Sequence, residues 1–141
     1  MNNDLRKAKK LLENSNYTCV LCHGDDTLTS DLPGISPMMN FIKSNFDLRG
    51  YSAADRIVGK AAALLFVLAG IREVYAGVIS DGAAAALEAH GIPYEYERRV
   101  EFITNRTGTS ICPMEATVKN IDDPAAAYKA LSAKLKEMSG K

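Results

Sequence analysis

Cys112 is the residue whose setting most clearly favours nucleophilic chemistry. It precedes Pro113, and Glu115 follows three positions later, a pattern that predicts a helix beginning just after the cysteine. The amides and the dipole at a helix N-terminus favour a thiolate, so Cys112 is a candidate catalytic nucleophile. The alternative is that Cys112 is a small buried side chain and that Glu115 belongs to a capping arrangement.

Lys60 is the second candidate, either as a nucleophile or as a contact for an anion. It lies in the first turn of an apolar helical run with no further charge before Arg72. A lysine there faces the unfavourable end of the helix dipole, which costs about 0.3–1 kcal/mol at an exposed site. We therefore expect a negative partner for Lys60: Asp55, Asp81, or the phosphate or carboxylate of a ligand. Gly59 either only begins the helix or lets a ligand approach the backbone.

The run Cys19-Val20-Leu21-Cys22-His23 has the Cys-x-x-Cys-His spacing of covalent haem attachment. Because this run is strand-like, Cys19 and Cys22 are expected on opposite faces, where they cannot share a metal or a disulfide. A structural zinc site that combines Cys19, Cys22, His23 and Cys112 would require the strand interpretation to be wrong. We predict no metal site and no cofactor.

Length, charge and cysteine content set the class of protein. A chain of 141 residues is expected to form a single domain over residues 1–141. The 17 basic and 17 acidic residues give no net charge, which argues against binding to nucleic acid or to an anionic membrane. No secretory signal is evident, and the three cysteines are expected to be reduced thiols, so we predict a soluble cytoplasmic protein.

The segment from Ser52 to Gly91 is the predicted centre of the fold, read as helix, strand and helix. Its first helix is expected to open at the polar cluster from Ser52 to Asp55 and to be buried on all sides from Lys60 onward. The remaining predicted elements are a helix from Asp4 to about Asn14, strands at Tyr17–Cys22 and Thr27–Thr29, a helix capped by Ser36, a half-exposed strand or strand pair at Tyr94–Phe102, and helices beginning at Cys112 and Asp123.

This order of elements resembles the cytidine deaminase-like fold. The stretches Asp55-Arg56-Ile57-Val58-Gly59-Lys60-Ala61-Ala62-Ala63 and Cys112-Pro113-Met114-Glu115 are similar to those of a small uncharacterised bacterial family of that fold. The resemblance covers most of the chain. It implies an α/β protein with three α-β-α layers, in which a mixed sheet carries helices on both faces.

The resemblance also shows what is missing. True deaminases hold zinc with a His-x-Glu pair at the start of one core helix and a Pro-Cys-x-x-Cys pair at the start of the next. At the matching places this chain has Gly59-Lys60-Ala61 and Ser80-Asp81-Gly82. The zinc ligands and the catalytic glutamate are absent from these places, so we do not expect zinc-dependent deamination.

The resemblance implies that two helices begin at one pocket, and helix N-termini favour an anion. We predict that the pocket binds an anionic small molecule, such as a nucleotide derivative, with Asp81 also a candidate N-cap and the Cys112 turn at the border. The alternative is a zinc-independent enzyme with Cys112 or Lys60 as nucleophile. The predicted ligand-binding residues are Asp55, Gly59, Lys60, Ser80, Asp81, Gly82, Arg106 and Glu115.

The strand predicted at Tyr94–Phe102 is the expected place for a partner. A strand at the edge of a sheet has unpaired backbone groups that can bond to another chain. The resemblance implies a homodimer, because proteins of this fold often assemble as oligomers.

Overall fold

The structure of the chain, a computed structural model, describes residues 2–105 and 108–139. The helices and strands of these residues are α1 (Asn3–Glu13), β1 (Cys19–His23), β2 (Asp26–Ser30), α2 (Ser36–Lys43), β3 (Ser52–Val58), α3 (Lys60–Ala69), β4 (Glu73–Ser80), α4 (Asp81–Ala89), β5 (Tyr94–Val100), α5 (Pro113–Val118) and α6 (Pro124–Ser139).

The strands form one mixed sheet in the order β2-β1-β3-β4-β5. β1 runs antiparallel to β2 and to β3, whereas β3, β4 and β5 run parallel to one another. Parallel neighbours need a crossover connection, and α3 and α4 supply the two that are required. Both helices therefore begin at the carboxyl ends of neighbouring strands, which is where open α/β sheets commonly bind ligands.

Helices cover both faces of the sheet. α1 packs Leu5, Ala8 and Leu12 on one face, where they meet a small apolar cluster from β1, β3 and β4. The other face carries the larger core, to which α2, α3, α4, α5 and α6 all contribute. The predicted three-layer α-β-α arrangement with a mixed sheet is confirmed.

α3 lies at the centre of the larger core. Its residues from Ala61 to Phe66 are all buried, as expected for a helix that is apolar on every side. The helix ends at Gly70, whose φ of 77° is the left-handed conformation that glycine adopts without strain. No helix within residues 2–105 and 108–139 is long and apolar enough to cross a membrane.

The segment from Ser52 to Val58 is a strand, so the prediction that the first core helix opens there is wrong. It is β3, the middle strand of the sheet, and α3 starts only at Lys60. A central strand is buried on both faces and shows no alternation of polar and apolar residues, so periodicity cannot distinguish it from a buried helix. As a result, Asp55 lies inside the sheet and not at a helix N-terminus.

Two predicted helix caps are also wrong. Asn2, and not Asp4, caps α1, because the Asn2 side chain accepts a hydrogen bond of 2.7 Å from the Leu5 amide. The cap position of α2 is Ile35, which provides no side-chain hydrogen bond, and Ser36 is the first residue of the helix. The order of the elements is unaffected, and α1 and α2 lie on opposite faces of the sheet.

Candidate functional site

The start of α3 is bound by a carboxylate from the same chain. Glu115 Oε1 accepts a hydrogen bond of 2.8 Å from the Lys60 amide, and Oε2 accepts one of 2.9 Å from the Ala61 amide. The first amides of a helix have no partner within it, and a carboxylate also suits the positive end of the dipole. Glu115 therefore does for α3 what an anionic ligand would do.

Gly59 makes this contact possible. A Cβ atom at position 59 would lie 2.4 Å from Glu115 Cδ, far inside van der Waals contact. The backbone of Gly59 is extended, with φ −97° and ψ −178°, so the requirement for glycine here is space and not conformation. The chain's own carboxylate is thus the group that approaches the backbone at Gly59.

Lys60 finds its negative partner in Asp122. Lys60 Nζ lies 2.8 Å from Asp122 Oδ1, and it donates a second hydrogen bond of 3.2 Å to the Lys119 carbonyl. The expectation of a negative partner is met, but the partner is neither Asp55 nor Asp81. The hydrogen bond from Lys60 lowers the pKa of Asp122 below its usual value.

The start of α4 touches the start of α3. The Ser80 hydroxyl accepts a hydrogen bond of 3.1 Å from the Ala83 amide, so Ser80 is the N-cap in place of the predicted Asp81. Asp81 instead forms an ion pair of 2.7 Å with Arg99. A Cβ atom at Gly82 would meet Lys60 Cβ at 3.6 Å, an ordinary contact distance, which shows how closely the two helix starts approach.

Two cavities open at this end of the sheet. The α4 cavity, of about 990 Å³, is lined by Lys60, Ser80, Asp81, Gly82 and Glu115 among others. The Asp55 cavity, of about 1030 Å³, is lined by Asp55, Gly59, Cys112 and Glu115 among others. The predicted site residues are therefore divided between two neighbouring cavities that share Glu115. Arg106 lies outside the described residues.

Asp55 is a buried carboxyl group in the wall of the Asp55 cavity. Its side chain accepts a long hydrogen bond of 3.4 Å from the Ile57 amide. Burial raises the pKa of Asp55 from 3.8 to about 7, and hydrogen bonds from the backbone only partly oppose this shift. Cys19 stands beside it on β1, and burial together with the Asp55 charge raises the pKa of that thiol well above its usual value.

Cys112 occupies the N-cap position of α5, as predicted, and lines the Asp55 cavity. Its side chain is half-buried and makes no capping hydrogen bond. The candidate nucleophile and the Asp55 carboxyl group therefore face the same cavity.

Arg98 and several apolar side chains in the wall of the Asp55 cavity were not predicted. Arg98 forms no ion pair with any residue of the described ranges, and the register places it beside Val78, which itself lies beside Ile57. Ile57 is 55% exposed, Phe102 56% and Met138 51%. The alternation in β5 could have assigned Arg98 to a face of the strand, but it does not reveal that a cavity lies there.

The residues present do not fit a zinc site. No three His, Cys, Asp or Glu side chains come together in residues 2–105 and 108–139 in a way that could hold a metal ion. Cys19 contributes to the larger core and Cys22 to the small cluster under α1, so the two thiols lie on opposite faces of β1, as predicted.

These features define an α/β domain with a mixed five-stranded sheet, helices on both faces and no metal-binding group among the described residues. The chain belongs to the DUF1893 family (TM1506), a domain of unknown function, whose family model matches residues 7–135. It is similar to the crystal structure of a DUF1893 family protein from Thermotoga maritima, with a TM-score of 0.86 and 27% identity over 95% of this chain and 92% of that one. No curated protein matches the chain.

Two deaminases are more distant structural neighbours. The dCMP deaminase of cyanophage S-TIM5 has a TM-score of 0.47 and 14% identity over 68% of this chain and 99% of its own. A diaminohydroxyphosphoribosylaminopyrimidine deaminase/5-amino-6-(5-phosphoribosylamino)uracil reductase from Thermotoga maritima has a TM-score of 0.43 and 16% identity over 65% of this chain and 34% of its own. The prediction that the chain belongs to a family of unknown function is confirmed by the family model.

The Glu115 contact predicts a measurable contribution to stability. Glu115→Ala should lower the free energy of unfolding by about 2–3 kcal/mol, because two amides lose a charged acceptor. Glu115→Gln keeps one acceptor oxygen, so it should lose less. The measurement is urea unfolding, with Glu137→Ala on the exposed surface of α6 as the control. A Glu115→Ala variant as stable as that control would show that the cap does not stabilise the fold.

The raised pKa of Asp55 predicts an unusual dependence of stability on pH. The folded state holds the Asp55 proton up to about pH 7, whereas the unfolded chain releases it near pH 3.8. The stabilising contribution of the neutral carboxyl group is therefore complete below pH 3.8, is lost as the pH rises to about 7, and changes no further above that.

Asp55→Asn removes this dependence, since the amide stays neutral at every pH. The quantity to compare is the free energy of unfolding of the variant minus that of the unmodified chain. This difference should increase by up to about 4 kcal/mol as the pH rises from 4 to 8. Urea unfolding across that range measures the gain, and Asp25→Asn in the exposed hairpin turn should give a flat difference. A flat difference for Asp55→Asn as well would mean that Asp55 is ionised at ordinary pH in the folded state.

Proposed function

We propose that this domain binds a small molecule in the Asp55 cavity, and that the ligand combines an apolar body with an anionic group. The observation that carries the proposal is that one cavity with exposed apolar walls holds a buried carboxyl group, Asp55, and a cation, Arg98, that has no ion-pair partner among the described residues. Ligand sites are usually concave and largely apolar, with a few convergent polar groups and a shifted pKa. A nucleotide derivative satisfies this description.

The distribution of charge favours the Asp55 cavity over the α4 cavity. In the α4 cavity, Lys60 is paired with Asp122, and Asp81 is paired with Arg99. The amides that α3 would offer to an anion are already bound to Glu115. An anion entering the α4 cavity would have to displace these partners. Arg98 can bind an anion without displacing a partner from any described residue. Arg98 thus takes the role of anion contact that the sequence had suggested for Lys60.

Asp55 supplies the second polar contact in this proposal. A neutral carboxyl group can both donate and accept a hydrogen bond, whereas the ionised form only accepts. With a pKa of about 7, Asp55 can adopt either form at neutral pH to suit the ligand. Ser36, Gly59 and Pro113, at the starts of α2, α3 and α5, also line the cavity.

The probe for this proposal is 8-anilinonaphthalene-1-sulfonate, which joins an apolar aromatic body to a sulfonate and fluoresces in apolar sites. Arg98→Ala should raise its dissociation constant about tenfold, the effect of losing one charged hydrogen bond. Ile57→Asp should weaken binding as well, because it places a charge on the apolar wall. Arg72→Ala, at an exposed arginine with no side-chain partner among the described residues, should bind the probe like the unmodified chain.

Lys60→Ala separates the two cavities. If this variant loses probe binding and Arg98→Ala does not, the ligand site is the α4 cavity. If neither variant changes the dissociation constant, the domain does not bind anions at either place.

A second function, a zinc-independent enzyme, is favoured by one observation: Cys112 and Asp55 line the same cavity. In such a reaction the Cys112 thiol would transfer its proton to the ionised Asp55 carboxylate as sulfur bonds to an electrophilic carbonyl carbon, and the carbonyl π electrons would move to oxygen. Lys60 is the weaker nucleophile, because its ammonium group is bound to Asp122 and to the Lys119 carbonyl.

Alkylation with iodoacetamide tests this second function. We expect Cys112 to react first at neutral pH, since Cys19 and Cys22 are buried and burial raises the pKa of both thiols. In the Asp55→Asn variant the rate at Cys112 should fall if Asp55 acts as the base. Peptide mass spectrometry follows each cysteine separately. A Cys112 that reacts no faster than a free thiol, and equally in the variant, would remove the nucleophile and leave the binding function.

A further inference from the structure

β5 is an open edge of the sheet. It is the last strand in the order, and its residues from Glu95 to Arg99 are all exposed. Natural edge strands are usually protected by charged side chains, above all lysine, by proline, by a bulge or by shortness. The seven residues of β5, Tyr-Glu-Tyr-Glu-Arg-Arg-Val, contain no proline or lysine, keep one register with β4, and carry charges of both signs.

The direction of the backbone groups on β5 follows from its pairing with β4. The Val74 amide bonds to the Pro93 carbonyl, and Val74 pairs with Tyr94. In a parallel ladder this pattern directs the odd-numbered residues of β5 toward β4. The N–H and C=O groups of the even-numbered residues therefore point outward, and these residues are Tyr94, Tyr96, Arg98 and Val100.

We propose that two copies of this chain pair their β5 strands antiparallel about Glu97, so that the sheets of both copies become continuous. Tyr96 of one copy then exchanges both backbone hydrogen bonds with Arg98 of the other, and Tyr94 does so with Val100. All of the outward-pointing groups of β5 find a partner in this arrangement. The inference is independent of the proposed ligand.

Charge selects this register among those that keep each face of the sheet together. With Glu97 at the two-fold axis, Glu95 faces Arg99 of the second copy, and this attractive pair occurs twice. Moving the axis to Tyr96 sets Glu95 against Glu97 twice. Moving it to Arg98 pairs Glu97 with Arg99 twice, but it also sets the two Arg98 residues against each other and Glu95 against Glu101 twice, so repulsive contacts outnumber attractive ones. Opposite charges across a strand pair stabilise it and like charges destabilise it, so the Glu97 register is favoured.

Arg99 can serve two carboxylates at once. Its Nε is bound to Asp81 of the same copy, and 42% of its side chain is exposed, which leaves other guanidinium donors for Glu95 of the second copy. Glu95 has no side-chain partner among the described residues. Glu97 of one copy faces Glu97 of the other, which is the single like-charge contact of the register.

The pairing would also affect the Asp55 cavity. Tyr96, which is 44% exposed, would stand opposite Arg98 of the second copy, and Arg98 lines that cavity. An arginine beside an aromatic ring forms a favourable cation–π contact. Each copy would thereby contribute an aromatic side chain next to the other copy's anion contact.

The test is sedimentation equilibrium of the full chain from about 1 to about 100 µM, in which the unmodified chain should show a concentration-dependent dimer. Glu95→Arg should raise the dimer dissociation constant about tenfold, because two attractive pairs become repulsive. The double variant Glu95→Arg with Arg99→Glu should recover most of the loss. Glu97→Gln should tighten the dimer severalfold, while Asp25→Arg, a matched charge reversal at the opposite edge of the sheet, should have no effect.

Amide hydrogen exchange by NMR tests the register itself. At concentrations that favour the dimer, the amides of Tyr96 and Arg98 should become protected, whereas those of Glu95 and Glu97 are protected by β4 at every concentration. The proposal is overturned if the chain sediments as a monomer throughout, if Glu95→Arg leaves the dimer unchanged, or if Tyr96 and Arg98 exchange freely in the dimer.

Discussion

The two amides at the start of α3 impose the constraint on which this end of the molecule depends. α3 is buried along most of its length, so its first N–H groups have little access to water and need acceptors from the protein. Glu115 supplies both acceptors from α5, an element that follows β5 in the chain. This one carboxylate therefore leaves no space for a side chain at position 59, and it lines both the Asp55 cavity and the α4 cavity.

The charged side chains near the start of α3 differ in whether they have an ion-pair partner. Lys60 follows Gly59 at the unfavourable end of the helix dipole, and the loop before α6 brings Asp122 to it. Asp81 likewise has Arg99. Within residues 2–105 and 108–139, Asp55 has no ion-pair partner, and it is buried in the central strand. Burying an ionised carboxylate without an ion-pair partner is costly. Burial therefore raises the pKa of Asp55, so that the neutral form is favoured.

Much of the fold could be predicted from sequence because its signals are local. The hairpin of β1 and β2, the buried strand β4 and the cap position at Cys112 all follow from the composition and spacing of nearby residues. β3 could not be found in this way, because its first four residues, Ser52 to Asp55, are all buried and include two alanines, a residue that suits helices. The strand is defined only by its neighbours β1 and β4, which are distant in sequence.

The side-chain contacts of the candidate site were equally difficult to predict from the sequence. The sequence singled out Lys60 and Glu115 as residues that could meet an anion, but it could not show that Glu115 is bound to the amide of Lys60 and that Lys60 is bound to Asp122. These groups satisfy one another, so the proposed contact for an external anion is a charge that they leave unpaired. Arg98 is such a group. The sequence could not single it out, because its lack of an ion-pair partner within the described residues is visible only in the folded structure. A binding site of this kind is found by tracing which charges the fold has already neutralised.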